Sequence, residues 1–307
     1  MIDFLASLTL EPDIPKVYKF TKYPNTAREL RSHVLTYLNK KTLQNYAACS
    51  KLCNSEIQKY NTIAPGEIDL RDVPDGYEME FRYYRPKSER FMGSAKLTFA
   101  HSESSKVNEL RVLEFYKHVK RGKTHKLDVK MKKWPTEIMS LKPFTEIPKW
   151  FVILYDSMFN DFLNFIEKGE NQIRHLMLFR WGNPNMTLPP SFFKTSTFKN
   201  LQVADFELTC QIDNDDFVNL QTQYVDMFSN SVSFDAIREK VDKMNENGDE
   251  QHIKIMLPKN TPFVFNFDEL FNRERFPKLR RNMEGYWQIG NVQVRTKSHY
   301  VEMSTAE

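Results

Sequence analysis

The stretch FNDFLNFIEKGENQIRHLMLF, residues 159–179, indicates the kind of fold that this chain adopts. Four apolar residues stand at i, i+3, i+4 and i+7, the spacing of one apolar helix face: Phe159, Phe162, Leu163 and Ile166. Gly169 follows three residues later, where a glycine commonly ends a helix. After a polar turn, residues 173–179 alternate as in a half-buried strand. The stretch therefore predicts one α/β unit made of a helix, a glycine cap and a strand.

The same order of helix, turn and strand recurs twice in the chain. In the upstream copy, Gly122 and a strand at 126–131 follow a helix face formed by Val112, Phe115, Tyr116 and Val119. In the downstream copy, a strand at 252–257 follows a helix face formed by Phe234, Ile237, Val241 and Met244. Two runs that share Asn-Leu-Gln, 198–208 and 217–228, fit further units. One unit cannot bury its apolar face alone, so stacked units predict an irregular leucine-rich-repeat-like α/β repeat domain.

Strands are also predicted outside these units. Apolar and polar residues alternate at 67–70, 78–81 and 96–99, which predicts strands with one buried face. Near the end, YWQIGNVQVR (286–295) has two strand-like halves around Gly290-Asn291. A two-residue link that begins with glycine fits a type II′ hairpin, because the first turn residue needs a positive φ. We therefore expect a hairpin near the C-terminal end of the domain.

A pair of short amphipathic helices is predicted near the N-terminus, in HVLTYLNKKTLQNYAACSKLC (33–53). Apolar residues recur at helical spacing on both sides of the short link 39–41, and a third helix is predicted from Leu52 to about Tyr60. Such a helical module is too small for a core of its own. We therefore predict a lead-in segment (1–23), a helical module (24–62) and a larger α/β (α+β) domain (66–307).

Composition limits the class of protein. With 307 residues, 40% of them hydrophobic, the chain can form a packed core. No run is long enough to span a membrane, and the N-terminus lacks the basic flank of a signal peptide. Three cysteines are too few for a disulfide framework and fit a reducing interior. We therefore expect an intracellular protein, cytoplasmic or nuclear.

The sequence carries no recognisable catalytic constellation. No phosphate-binding glycine motif occurs, and no histidine stands in a nucleophile context. Cys49 and Cys53 lie at i, i+4, but with no second Cys/His pair nearby they are more simply buried at a helix seam. The acidic run 213–216 is more simply a polar turn at a helix N-terminus. We therefore predict a protein that is not an enzyme and needs no cofactor or metal.

The basic run KHVKRGKTHKLDVKMKK (117–133) raises the alternative of nucleic-acid binding through phosphate contacts. Its charged residues Lys126, Asp128, Lys130 and Lys132 alternate with apolar ones, however, and are expected to form the solvated face of a strand. Trp134 is the nearest aromatic residue that could stack on a base. A solvated strand face is the stronger interpretation of this run.

The N-terminal helical stretch resembles an F-box. The residues that stand at the spacing of that family are Glu29-Leu30, Val34-Leu35, Tyr37-Leu38, Leu43 and Cys49-Ser50-Lys51. Thr26-Ala27 stands where the family often has Leu-Pro, and Leu52-Cys53 replaces the usual aromatic residue. The helix–Gly–strand units, the Phe-Lys-Asn-Leu stretch (198–201) and the EGYWQIGNVQVR ending are similar to the F-box-associated domains of nematode F-box proteins.

The resemblance implies an adaptor of a Skp–cullin–F-box type ubiquitin ligase. Its helices would dock on a Skp-type linker protein and through it on a cullin, and the larger domain would bind an unidentified protein substrate. The residues expected to form the helical pair and the linker contact are Leu30, Val34, Leu35, Leu38, Leu43, Tyr46 and Cys49. Two alternatives stay open: a protein-binding scaffold with no ligase linkage, in which the helices only cap their own domain, and a nucleic-acid binder through 117–133.

Overall fold

The computed structural model describes residues 65–84, 91–100, 104–117, 124–248, 250–257, 280–281, 286–297 and 299–305. The chain divides into two compact units, residues 1–127 and 128–307. The predicted lead-in segment and helical module lie outside the described residues. Their boundary with the larger domain therefore stays a prediction.

The first unit contains a meander of three antiparallel strands and a helix: β1 (Glu67–Val73), β2 (Gly76–Tyr84), β3 (Phe91–Ala100) and α1 (Ser105–Lys117). In the register of β1 with β2, Glu67 lies opposite Arg82 and Val73 opposite Gly76. The strands predicted from alternation at 67–70, 78–81 and 96–99 are confirmed. Their apolar positions form the interior, where Ile68, Leu70, Met79, Phe81 and Phe99 are fully buried.

Strand β4 (Lys126–Lys130) crosses the boundary between the units, and the remaining elements belong to the second unit. The helices are α2 (Thr136–Met139), α3 (Lys142–Thr145), α4 (Asp156–Lys168), α5 (Pro190–Lys194), α6 (Ser196–Lys199), α7 (Asn214–Val218) and α8 (Phe234–Asn247). The strands are β5 (Lys149–Leu154), β6 (His175–Arg180), β7 (Thr187–Leu188), β8 (Val203–Cys210), β9 (Tyr224–Phe228), β10 (His252–Met256), β11 (Arg280–Arg281), β12 (Tyr286–Ile289), β13 (Val292–Lys297) and β14 (Tyr300–Thr305).

The sheet of the second unit has a parallel half and an antiparallel half. Strands β5, β6, β8, β9 and β10 lie side by side in that order and are all parallel. Helices α4 to α8 lie in the connections between them. Because β–helix–β crossovers are right-handed, connections that advance along the sheet in one direction place their helices on the same face. Strands β14, β13, β12 and β11 then continue the sheet from β10 as antiparallel neighbours.

The core of the second unit lies between this sheet and the helices. Trp150 on β5 stacks on Phe165 of α4, with ring centroids 5.5 Å apart. Phe206 on β8 meets the ring of Phe192 on α5 at 5.7 Å. The strand residues on this face form two cross-strand rows, and all of them are buried. The first row is Trp150, Leu176, Ala204, Val225, Ile253, Met303 and Val294. The second row is Val152, Leu178, Phe206, Met227, Ile255 and Val301. We call this face the helix-covered face.

Helices α4 and α8 end at the glycines that follow their apolar faces in the sequence. Gly169 and Gly248 cap α4 and α8 in the left-handed conformation, each with φ of +67°. Glycine has no Cβ and adopts this conformation without the steric cost that other residues meet. The repeated Asn-Leu-Gln also has a structural meaning, because Asn200 and Asn219 are the C-cap residues of α6 and α7. The helix and strand elements of the stretch 159–179 are therefore confirmed.

The predicted C-terminal hairpin is confirmed as β12 and β13, joined by Gly290 and Asn291. Gly290 has a φ of +59°, as a turn that begins with glycine requires. The turn also contacts α8, because the backbone amide of Asn291 donates to Asn245 Oδ1 over 2.6 Å. This hydrogen bond joins residues far apart in the chain and fixes the hairpin against the helix.

The predicted fold class, a three-helix F-box-like module followed by a leucine-rich-repeat-like α/β repeat domain, is wrong. The described residues form mixed β-sheet, with 40% strand and 30% helix. In a repeat array each unit contacts only its neighbours. Here the last strand, β14, returns to pair with β10, and antiparallel strands make up both the first-unit meander and the far end of the second-unit sheet. Periodicity identified α4, α8 and the first-unit strands, but it missed β5 and β14 and carried no information about which strands pair.

Candidate functional site

The second-unit sheet has a face opposite to the helix-covered face, which we call the open face. Most of its side chains are half-buried or exposed. Cross-strand pairing arranges them in rows. The first two rows are Lys149, His175, Val203, Tyr224, His252, Ser304 and Gln293, then Phe151, Met177, Asp205, Asp226, Lys254, Glu302 and Arg295. A third, shorter row consists of Ile153, Phe179 and Glu207.

On β5 and β6 the second and third rows of the open face are apolar. We call Phe151, Ile153, Met177 and Phe179 on β5 and β6 the apolar strip. The rings of Phe151 and Phe179 contact each other, with centroids 4.7 Å apart. Just beyond the ends of the same two strands lies a further aromatic pair, in which the ring of Trp181 is 6.4 Å from that of Tyr155. Trp181 is 64% exposed, which is unusual for so large an apolar side chain.

Carboxylates follow directly on the next two strands. We call Asp205, Glu207 and Asp226 the acidic cluster. Asp205 and Glu207 on β8 lie beside Met177 and Phe179 of the apolar strip, and Asp205 also lies beside Asp226 on β9. Lys254 on β10 pairs with Asp226, with Nζ 2.9 Å from Oδ2. Within the described parts of the chain, Asp205 and Glu207 make no ion pair or side-chain hydrogen bond.

The charges of the acidic cluster are poorly compensated. Burial raises the pKa of Asp205, and the negative charges of Asp226 and Glu207 raise it further, while Lys254 only partly opposes them. Burial by itself would lower the pKa of Lys254, but its hydrogen bond to Asp226 raises that pKa overall. The ammonium group of Lys254 is therefore engaged by Asp226. Among the described residues, no cation pairs directly with Asp205, whose carboxylate lies beside an apolar surface.

Aromatic and charged groups continue the open face on β9, β10 and β14. The rings of Tyr224 and His252 are stacked, with centroids 5.0 Å apart and an interplanar angle of 4°. His252 Nε2 lies 3.4 Å from Glu302 Oε1. Burial and the nearby charges of Asp226 and Asp205 raise the pKa of Tyr224 above its ordinary value. This part of the face offers hydrogen-bond donors and acceptors around a flat ring pair.

The strand surface of the first unit differs, because its charges are compensated. Arg82 contacts Asp69 at 2.9 Å and Glu80 at 3.2 Å. Arg71 and Lys96 both contact Glu78, at 2.5 Å and 3.1 Å. The hydrogen bond from Arg71 is the main cause of the lowered pKa of Glu78. This ladder of ion pairs is consistent with a structural role, and the open face of the second unit is the stronger candidate for binding.

The residues predicted to dock a linker protein lie outside the described residues, so their role stays a prediction. These are Leu30, Val34, Leu35, Leu38, Leu43, Tyr46 and Cys49. Cys53 lies outside them as well. The acidic run 213–216 is, as expected, a turn and helix start, with Asp213 as the N-cap of α7. The open face itself was not predicted as a site.

The basic run 117–133 is partly described, and one expectation for it is wrong. Leu127 and Val129 are buried as predicted, but Asp128 is also buried, 7% exposed, and so does not belong to a solvated face. Trp134 is 2% exposed and packs against the rings of Phe162 and Phe165 at 5.3 and 5.4 Å. It therefore cannot stack on a nucleic-acid base without leaving the core.

No protein-family model, curated protein or solved structure matches this chain. In the part of the chain that the structure describes, no group of three or more His, Cys, Asp or Glu side chains is placed to hold a metal ion. No helix among the described residues is long and apolar enough to cross a membrane.

Proposed function

We propose that this chain is a non-catalytic substrate-recognition adaptor of a Skp–cullin–F-box type ubiquitin ligase. In this proposal the helices predicted at 24–62 dock on a Skp-type linker protein and through it on a cullin. The open face of the second unit holds the target protein. The setting is intracellular, cytoplasmic or nuclear, because the ligase acts there. The chain supplies binding surfaces only, and the ligase supplies the chemistry.

The observation that carries the proposal is the unequal covering of the two faces of the second-unit sheet. Helices bury one face against Trp150 and Phe206. The other face presents an apolar strip next to an acidic cluster, both incompletely buried. Aromatic residues and methionine are enriched in protein–protein interfaces, and exposed tryptophan is a common anchor of binding energy. Trp181, Phe151, Phe179 and Met177 fit this composition.

The adaptor function in particular is supported by the sequence. An adaptor needs two binding surfaces, one for the ligase and one for the target. The F-box resemblance covers about residues 26–60, and the open face is formed entirely by residues after 148. The two activities are therefore assigned to separate segments of the chain and can be altered independently by mutation.

The test is co-expression with a Skp-type linker protein, followed by size-exclusion chromatography. We expect the wild-type chain to co-elute with the linker in equal amounts. The double variant Leu38→Asp/Leu43→Asp is expected to lose co-elution, because each change places an unpaired charge in an apolar seam. The matched control is Leu110→Asp on α1, where the leucine is 56% exposed and a charge is tolerated.

Tryptophan fluorescence, to which the buried Trp134 and Trp150 contribute, checks that the second unit stays folded in each variant, and circular dichroism checks its overall helix content. A folded wild-type chain that elutes apart from the linker would contradict the adaptor proposal. A double variant that still co-elutes would show that these two leucines do not dock the linker. In the first case the chain would be better described as a protein-binding scaffold without ligase linkage.

A further inference from the structure

The open face also indicates the chemistry of its partner. We propose that the surface formed by β5, β6, β8 and β9 binds a segment of a partner protein in which a Lys or Arg stands among aliphatic or aromatic residues. This inference deepens the proposed function and rests on it for the identification of the open face as the target-binding surface.

Apolar and acidic side chains lie next to each other where β6 meets β8. Met177 and Asp205 are direct neighbours across β6 and β8, as are Phe179 and Glu207. A cationic side chain that lay across this boundary would contact both kinds of group. Lys and Arg are suited to it, because their aliphatic stems pack on apolar surface while their charged ends stay at a polar edge.

The acidic cluster carries more negative charge than the described residues around it compensate. The acidic cluster contains three carboxylates, and Lys254, which pairs with Asp226, is the cation that contacts it among the described residues. Asp226 Oδ1 is buried and has no hydrogen-bond partner in the described part of the chain. Together with the half-buried Asp205, it leaves negative charge partly removed from water. A positive charge from a partner would complement this surface, whereas a phosphate backbone would be repelled.

One lysine of the chain itself lies over a ring of the apolar strip. Lys130 Nζ lies 5.9 Å from the centre of the Phe151 ring, within the range of a cation–π interaction. The strip thus already accepts an ammonium group over one of its rings. The ring of Phe179, which contacts Phe151, lies next to Glu207 and offers a similar position with a carboxylate beside it.

The probes are short fluorescein-labelled synthetic peptides of equal length, composed of Leu, Lys and Ser. A second peptide has each Lys replaced by Glu, and a third has each Leu replaced by Ser. Fluorescence anisotropy measures their dissociation constants for the full-length chain. We expect the Leu/Lys/Ser peptide to bind about tenfold or more tightly than either of the other two, because it satisfies both halves of the surface.

Variants of the protein then locate the site. Asp205→Asn/Glu207→Gln is expected to weaken binding of the Leu/Lys/Ser peptide about tenfold, because it removes the complementary charge with little change in shape. The matched control, Glu239→Gln/Glu246→Gln, removes two negative charges from exposed positions on α8, which lies on the side of the helix-covered face. We expect it to bind within about twofold of the wild type. Met177→Gln tests the apolar half and is expected to weaken binding.

The proposal would be overturned by equal binding of the Lys and Glu peptides. It would also be overturned if the open-face and helix variants were equally weakened, or if Asp205→Asn/Glu207→Gln bound as the wild type does. Self-association of the wild type that rises with concentration and is lost in this double variant would also overturn it, because the surface would then bind a second copy of the chain. Co-elution with the linker should be unchanged in the open-face variants. Failure of peptide binding therefore stays distinct from failure of the adaptor proposal.

Discussion

Truncation of Phe162 to alanine tests whether α4 is a core helix. Phe162 is fully buried, and its ring meets that of Trp134 edge to face at 5.3 Å. Replacement of a buried Phe by Ala costs about 3–5 kcal/mol, because apolar burial is lost and a cavity remains. With a urea m-value of about 3 kcal/mol/M, a loss of about 4 kcal/mol lowers the midpoint of unfolding by about 1.3 M.

The assay is equilibrium urea denaturation followed by tryptophan fluorescence. Trp134 and Trp150 belong to the same aromatic cluster as Phe162 and Phe165, so their emission reports on the second unit. If the two units unfold separately, the shift is expected in the transition that these tryptophans report. The fluorescence signal thus follows the part of the chain in which the cavity is made.

The matched control is Phe159→Ala on the same helix, where the side chain is only half-buried. We expect this change to cost about 1 kcal/mol, because less apolar area is removed from contact. The reasoning is refuted if Phe162→Ala lowers the midpoint no more than Phe159→Ala does. A change of only a few tenths of a kcal/mol for Phe162→Ala would mean that α4 does not pack in the core.

Four further substitutions are tested by the same urea titration. Gly248→Ala is expected to cost about 1 kcal/mol, because of its left-handed conformation alone. Gly290→Ala is expected to cost more, because its Cβ would also collide with Asn245 Oδ1. Equal losses for the two variants would show that this contact has no effect on stability. Asp205→Asn should stabilise the chain at pH 7. Because the pKa of Asp205 is raised on folding, its contribution to stability is fully present below the unfolded pKa of 3.8 and is lost as the pH rises through the folded pKa. The difference in stability between Asp205→Asn and the wild type should therefore vanish in acid. A less stable variant at pH 7 would contradict this sign. Ser233→Ala should cost about 1 kcal/mol, because its hydroxyl caps α8 by accepting from the Ala236 amide at 3.2 Å, and an unchanged midpoint would count against the cap.

Most secondary structure of the described residues could be predicted from local pattern. Apolar periodicity and a following glycine identified α4 and α8, and alternation identified the strands of the first unit. These signals succeed because capping, turn formation and one-sided burial depend on residues close together in the chain. The buried face of α4 was only partly correct. Phe162 and Ile166 are buried as predicted, but Phe159 and Leu163 are half-buried, and Met158 and Phe165 take the remaining core positions.

The candidate site shows what local pattern could not supply. Asp205 and Met177 were each visible as one residue of a strand, but their contact depends on the pairing of β6 with β8. Lys240 is a second example, because a lysine on an amphipathic helix is ordinarily expected at the surface. Here it is 3% exposed, and its ammonium group donates to the carbonyl of Leu220 over 2.5 Å. Leu220 lies just after α7, so the partner comes from a different part of the chain.

The sequence by itself determined that α4 and α8 end at a glycine, that the first-unit strands alternate, and that the hairpin turns at Gly290. Only the tertiary structure decided that the units form mixed sheet and that β14 returns to β10. It also placed an apolar strip beside an acidic cluster. The physical reason is that caps, turns and periodicity act over a few residues, whereas strand order and charge compensation are set by groups brought together from distant parts of the chain.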